Sequence, residues 1–163
     1  MQRGIEWVGE DNPVTLLGSP DLEDYEVSCD VRFNFTEAAW IFGRIVNVPH
    51  GNRPPIGYGL RINPEGEWVL QTSMSRPKPE VPAFMPAGSV VYDDAETVTL
   101  LVGKHAVNPG AWHRIGLRFF GSRITVMMDG MEAGFVTDVT FAAGLAGLGS
   151  AFESVDFDNL VIE

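Results

Sequence analysis

The stretch WHRIGLRFFGSRITVMMDGMEAGFV, Trp112 to Val136, limits the folds open to this chain more than any other. Its apolar residues recur at every second position, the period of a strand with one buried face, and two turn-forming pairs interrupt it. Gly121-Ser122 and Asp129-Gly130 have the composition of two-residue hairpin loops. Three antiparallel strands therefore follow one another, with Ile115, Leu117, Phe119, Ile124, Val126 and Met128 facing inward. YEVSCDVRF alternates in the same way, setting Tyr25, Val27, Cys29, Val31 and Phe33 against Glu26, Ser28, Asp30 and Arg32. AAWIFGRIV, by contrast, is apolar on both faces and predicts a strand central in its sheet. Asn63-Pro64-Glu65-Gly66 carries its residues in the order a tight reversal uses.

The rest of the chain agrees with this reading. Eighteen glycines and eleven prolines are spread between short apolar runs, and no segment of helical length keeps a helical period. At 163 residues and 45% hydrophobic, the chain is sized for one domain, 1–163. Roughly a dozen short antiparallel strands predict an all-β, two-sheet sandwich of jelly-roll type. NVPHGNRPPIG and MSRPKPEVPAFMPAG are too rich in proline for central strands and read as surface loops. The net charge of −11 has the wrong sign for nucleic acid or an anionic membrane surface, so neutral ligands are expected. Cys29 is the single cysteine, which excludes an internal disulfide and a cysteine-based zinc site. No run of about 18 apolar residues is present to span a bilayer as a helix.

The closing segment VDFDNLVIE poses a problem. Strict alternation puts Asp156 and Asp158 on the side of Leu160 and Ile162, where a carboxylate needs a hydrogen bond, an ion pair or a metal. Other candidate chemistry is thin. DLEDYE and ESVDFD lack the E-x-D-x-E spacing that projects catalytic carboxylates from a jelly-roll strand. His50, His105 and His113 are far apart in sequence without an H-x-x-x-H pair, and His113, inward beside Ile115, reads as a satisfied core histidine. Trp40 and Arg44 on one strand face, with Trp68, Arg53 and Arg76 in or near loops, could build a sugar-binding groove. Trp40 and Trp68 could equally fill the core.

Taken in order, QRGIEW (Gln2 to Trp7), DYEVSCDV (Asp24 to Val31), GRI (Gly43 to Ile45) and the FDNLVIE ending resemble the C-terminal lectin-like domain of the galactocerebrosidase family. The fold implied is a concanavalin A-like or laminin-G-like jelly roll. The resemblance further implies an accessory domain of a β-galactosidase acting on galactosylceramide-like glycolipids, in secreted or lysosome-like surroundings. The family's two catalytic carboxylates lie on a (β/α)₈ barrel outside this chain, so no catalytic residue is carried over, and that barrel becomes a partner. Trp7 would be the tryptophan lent to the galactose pocket, its indole meeting the apolar side of a β-galactoside or galactolipid head group; the alternative is a core tryptophan. Asp158, in the FDN motif, would help bind a structural calcium ion, or would simply accept backbone N–H bonds. The calcium ligands that precede QRGIEW in the family have no counterpart here. The resemblance therefore implies a domain shortened at its start, with an open edge beside the last strand that a second copy could cover as a homodimer. A free-standing carbohydrate-binding module and a purely structural spacer are the alternatives.

Overall fold

The computed structural model describes residues 14–34, 38–48, 55–74, 96–150 and 155–163. These residues form eleven strands in two antiparallel sheets, with no helix. One sheet runs, in spatial order, β1 (Val14–Leu17), β10 (Leu145–Ser150), β3 (Ala39–Asn47), β4 (Ile56–Ile62), β5 (Glu67–Met74) and β6 (Glu96–Lys104). The other runs β11 (Val155–Ile162), β2 (Tyr25–Phe33), β7 (His113–Phe120), β8 (Arg123–Met128) and β9 (Met131–Thr137). The expected β-sandwich is therefore the observed one, and β3, apolar on both faces, is internal to its sheet.

The turns form as their chemistry dictates. Gly121-Ser122 joins the paired Phe120 and Arg123, and Asp129-Gly130 joins the paired Met128 and Met131. Asp129 and Gly130 have φ of 49° and 79°, the two left-handed residues a type I′ hairpin needs. In the 63–66 reversal the Gly66 N–H donates to the Asn63 carbonyl at 2.9 Å and the Glu67 N–H to Asn63 Oδ1 at 2.8 Å. Of the two proline-rich loops, 49–54 and 75–95 lie outside the described residues.

The core sits between the sheets. Val27, Cys29 and Val31 from β2 meet Ile115, Leu117 and Phe119 from β7 and Ile41, Tyr58, Leu60 and Leu70 from the facing sheet. Each fully buried aliphatic contributes roughly 1.5–3 kcal/mol. Cys29 behaves as a small hydrophobe, burial pushing its thiol up to about 12. Gly43 marks the closest approach, since a Cβ there would stand 2.3 Å from the Phe119 ring.

Period two fails at several bulges, two of which relocate residues singled out from the sequence. At Asn159, φ is 49° and the register with β2 slips between Asp158 and Val161. One extra residue flips the phase. Val155 and Phe157 pack on the core before the bulge, and Leu160 and Ile162 pack on it afterwards. Asp156 and Asp158 thus face solvent, correcting the expectation that they share a face with Leu160 and Ile162. Asp156 Oδ2 accepts from Arg32 Nη2 at 2.6 Å and Asn34 Nδ2 at 2.9 Å. The bulge itself is pinned by Asp30, whose Oδ2 accepts from Asn159 Nδ2 at 2.7 Å while its Oδ1 accepts from Arg114 at 3.0 Å.

The second bulge turns Arg44 away from the strand face it was expected to share with Trp40. Arg44 has φ of 48° and the register with β4 slips between Gly43 and Asn47. Its guanidinium is buried, 2% exposed, and donates to the carbonyls of Glu23 at 2.8 Å, Gly121 at 2.9 Å and Phe141 at 3.0 Å. Tyr25 Oη accepts the Arg44 N–H at 2.6 Å, and burial pushes the Tyr25 phenol up to about 12. The groove role expected of Arg44 is thereby replaced by a clamp on three segments. Arg44→Met would leave those carbonyls without partners and should cost on the order of 3–5 kcal/mol. Thermal unfolding of that variant within a degree of the parent would refute the assignment.

Three aspartate carboxyls sit below the ordinary value of 3.8. For Asp129 and Asp138 burial pushes upward but is outweighed, at Asp129 by hydrogen bonds from His113, His105 and the Arg114 N–H, at Asp138 by those from Tyr58 and Thr140. Asp156 is lowered by Asn34 and then Arg32. A carboxyl depressed in the folded state adds stability that is full above its unfolded pKa and lost as pH falls through the folded one. The melting temperature should therefore fall steeply below about pH 4, and Asp138→Asn should make that fall shallower. An unchanged acid limb in Asp138→Asn would count against the Tyr58–Asp138 contribution.

Candidate functional site

The two outer faces of the sandwich differ in chemistry. On the five-stranded sheet, charges pair across strands: Glu26 with Arg118 at 2.7 Å, Asp30 with Arg114 at 3.0 Å, Arg32 with Asp156 at 2.6 Å and Arg123 with Glu132 at 2.9 Å. Such exposed pairs contribute about 0–1 kcal/mol each, but they satisfy that face and keep it wet. No cation there is left over for a ligand among these pairs.

The outer face of the six-stranded sheet carries an apolar cluster along β1, β10 and β3, bordered by polar residues on β4 to β6. Trp40 and Phe42 lie two apart on β3 and stack with ring planes 4° apart and centroids 5.6 Å apart. They lie across Gly59 of β4, where an added Cβ would stand 3.3 Å from both rings. Val14 and Leu16 of β1 and Leu145 continue the cluster. Phe42 is only 6% exposed, whereas Trp40 is half-buried, so Trp40 is the surface that the pair presents. Directly opposite Trp40 in register stands Arg61, flanked on its other side by Val69, with Gln71 two residues further along β5.

Arg61 is exposed and, alone among the described arginines, has neither a hydrogen bond nor an ion pair; the other five each hold a carboxylate. Arg61 beside Trp40 thus offers a flat apolar platform next to guanidinium N–H donors without a competing acid. That combination suits a ligand with an apolar flank and hydroxyl acceptors.

The residues expected from sequence are distributed as follows. Trp7, Arg53 and Arg76 lie outside the described residues. Trp68 is a core residue, 3% exposed, its indole against Gly103, with Nε1 lacking a hydrogen-bond partner among the described residues. Arg61, Phe42 and Gln71 were not singled out in the sequence, although the apolar outer positions of AAWIFGRIV already signalled a second face in need of cover.

Asp158 is exposed, and its Oδ1 accepts the N–H of Asn159 at 2.8 Å. Its cross-strand neighbour Asp30 is committed to Arg114 and Asn159, and Asp156 to Arg32 and Asn34. The described residues around Asp158 do not make up the six to eight oxygens calcium requires. Three groups that sequence distance had separated do converge: His105, His113 and Asp129 bring ligand-type atoms within 4.8 Å of one another. His113 is buried, donating through Nδ1 to Asp129 Oδ2 at 2.9 Å and accepting the Asn108 N–H at Nε2 at 3.0 Å. The expected satisfied core histidine is what the structure shows.

No helix of the described residues is long and apolar enough to cross a membrane. No family model and no curated protein matches the chain. Solved structures do match. The carbohydrate-binding module CBM66 from Bacillus subtilis superposes with a TM-score of 0.66 at 11% identity, over 95% of this chain and 83% of that one. Galectin LEC-6 of Caenorhabditis elegans gives 0.55 at 10% identity, over 98% and 99%. A toad ovary galectin, in complex with thio-digalactose, gives 0.54 at 7%, over 95% and 100%. Likeness at such identities is likeness of fold: the chain is a concanavalin A-like jelly roll.

Proposed function

We propose that this domain binds carbohydrate on the outer face of its six-stranded sheet, with Trp40 as the stacking platform and Arg61 as the hydroxyl-reading donor. The observation that carries the reading is the half-buried indole next to an arginine that no carboxylate of the described residues neutralises, beside the apolar cluster on one face of a sandwich whose other face is laced with ion pairs. An indole stacks on the C–H side of a pyranose while a guanidinium fork donates to adjacent hydroxyls. The fold likeness to a carbohydrate-binding module and to a galectin in complex with thio-digalactose supports the same ligand class.

The sequence resemblance to galactocerebrosidases narrows the proposal to β-galactosides or galactolipid head groups and to an accessory role beside a catalytic barrel. In that role Trp7 serves the galactose pocket of the intact enzyme, and the domain itself carries no catalytic residue. Calcium at Asp158 belongs to the same proposal, its other oxygens coming from polypeptide other than the described residues. Strand β11, at the edge of its sheet among the described residues, is where a neighbouring chain or a second copy would pair.

Titration calorimetry with lactose and thio-digalactoside tests the first reading. Trp40→Ala and Arg61→Ala should each weaken binding about tenfold, roughly 1.4 kcal/mol, while Arg118→Ala on the opposite face leaves it unchanged. Binding indifferent to both substitutions would move the site elsewhere; no binding of any glycan would favour the spacer reading. For the accessory role, Trp7→Ala in the barrel-containing enzyme should cost about 1–3 kcal/mol in galactoside turnover without lowering the melting temperature. A large drop in melting temperature with intact kinetics would return Trp7 to the core.

A further inference from the structure

At the end of the sandwich where β6 crosses to β7, three donors from three segments meet. His105 follows β6, His113 opens β7, and Asp129 is the first residue of the β8–β9 turn. Asp129 Oδ2 lies 2.8 Å from His105 Nε2 and 2.9 Å from His113 Nδ1, so both rings point at one oxygen. The carboxylate cannot swing freely, because Oδ1 accepts the Arg114 N–H at 2.8 Å and the Asp129 N–H donates to the Arg114 carbonyl at 2.7 Å. His105 is fixed by its own N–H, which donates to the Gly66 carbonyl at 2.8 Å. Gly66 has φ of 78°, and a Cβ there would collide with the His105 carbonyl oxygen, so glycine at this turn sets where His105 stands.

We propose that His105, His113 and Asp129 bind a first-row transition-metal ion of the zinc class, in a three-ligand site with an open position toward solvent. Two imidazoles and one carboxylate select zinc, nickel, copper or cobalt over calcium and magnesium, which take oxygen shells. Ligand atoms around tetrahedral zinc stand roughly 3.3 Å apart, so the two N···O contacts, at 2.8 and 2.9 Å, need to open by about half an ångström, and the two ring nitrogens, within 4.8 Å of each other, need to close toward the same spacing as the part-exposed His105 ring turns. The side chains are 20%, 8% and 35% exposed in the order His105, His113, Asp129, which leaves one side of the cluster reachable from water. Arg114 supplies the outer hydrogen bond that orients the carboxylate.

Metal binding displaces the protons shared between the rings and Asp129. At His105 the ring proton that Nε2 shares with Asp129 passes to Nδ1, which has no partner among the described residues, and Nε2 is freed to ligate. At His113 ligation through Nδ1 moves the remaining ring proton to Nε2, so the Asn108 N–H now bonded there must turn away. Asn108 lies on an exposed turn closed by the Ala111 N–H to Asn108 carbonyl bond at 3.1 Å, where its N–H can pass to water. The bound ion would tie the crossover from the six-stranded sheet to a hairpin of the five-stranded one, so it should stabilise the fold.

The test is a thermal-shift and cobalt-absorption titration of the full chain, free of any affinity tag, with zinc, cobalt and calcium chlorides. Zinc at about a hundred times its dissociation constant should raise the melting temperature by roughly 5–10 °C, and cobalt should develop visible d–d bands at one equivalent. Both signals should disappear in His105→Ala and in Asp129→Asn, survive in His50→Gln, and weaken as pH is lowered and protons compete for the imidazoles. His105→Ala changes a part-exposed side chain, so it keeps the test open even where Asp129→Asn disturbs the hairpin. Absence of a zinc shift in the parent, a shift retained in His105→Ala, or one lost only in His50→Gln would overturn the proposal.

Discussion

Three separate segments of this sandwich converge on the guanidinium of Arg44. It reaches the carbonyls of Glu23 before β2, Gly121 in the β7–β8 turn and Phe141 before β10, and lies 4.9 Å over the Phe119 ring. Those carbonyls lie in the segments between strands, outside the sheet ladders, so without Arg44 they would need other donors. Asp24, 3.6 Å away and half exposed, only partly balances the charge; the carbonyl dipoles carry most of the compensation. The bulge that turns Arg44 inward also lets Gly43 lie flat against Phe119, which brings the sheets together above it. Packing and polar satisfaction are thus one arrangement rather than two.

That inward turn has a consequence for the outer surface. With Arg44 withdrawn, β3 gives the outer cluster Trp40, Phe42 and Ile45, and the cation opposite Trp40 is Arg61 on β4. The opposite sheet distributes its charges differently, with Arg32, Arg114 and Arg118 each directly opposite an acid, as cross-strand pairing favours, and Arg123 reaching Glu132 further along β9. One sheet consequently pairs its described arginines with acids, whereas the other keeps an apolar patch with the unpaired Arg61 beside it. In a chain with twice as many acidic as basic residues, leaving Arg61 without an acid among the described residues is what charge counting would least anticipate.

How far the sequence could be read follows from where period two holds. The two-residue turns and the inward faces of β2, β7 and β8 were legible because local turn chemistry and alternation specify them without help from distant residues. Arg44 and Asp158 were misplaced for one shared reason: alternation was carried straight through a bulge. Asn159 is a residue type that tolerates φ above zero, so its bulge could have been suspected. Arginine gives no such warning, and only contacts from segments about 20, 77 and 97 positions away hold it in place. The histidine cluster was invisible for the same physical reason, since it is assembled by a crossover and a hairpin rather than by spacing along one strand.

Among the described residues, three other than glycine have positive φ: Arg44, Asp129 and Asn159. Outside the favoured asparagine and aspartate turns such a conformation costs on the order of 1–3 kcal/mol, so it persists where surrounding contacts hold it. Each of the three is also where a polar side chain leaves the two-face pattern: a clamp, a junction of imidazoles, a pinned edge strand. A jelly roll generates flat faces from alternation alone, and those faces can recognise a broad ligand such as a sugar ring. Convergent geometry, with several donors aimed at one point, requires the backbone to break that alternation. Arg61 and Trp40 lie in regular pairing on β4 and on β3 ahead of its bulge and suit shallow recognition, whereas Asp129, turned by its left-handed backbone toward His105 and His113, suits a point ligand. The division of labour between surface and turn follows from backbone conformation before any ligand is considered.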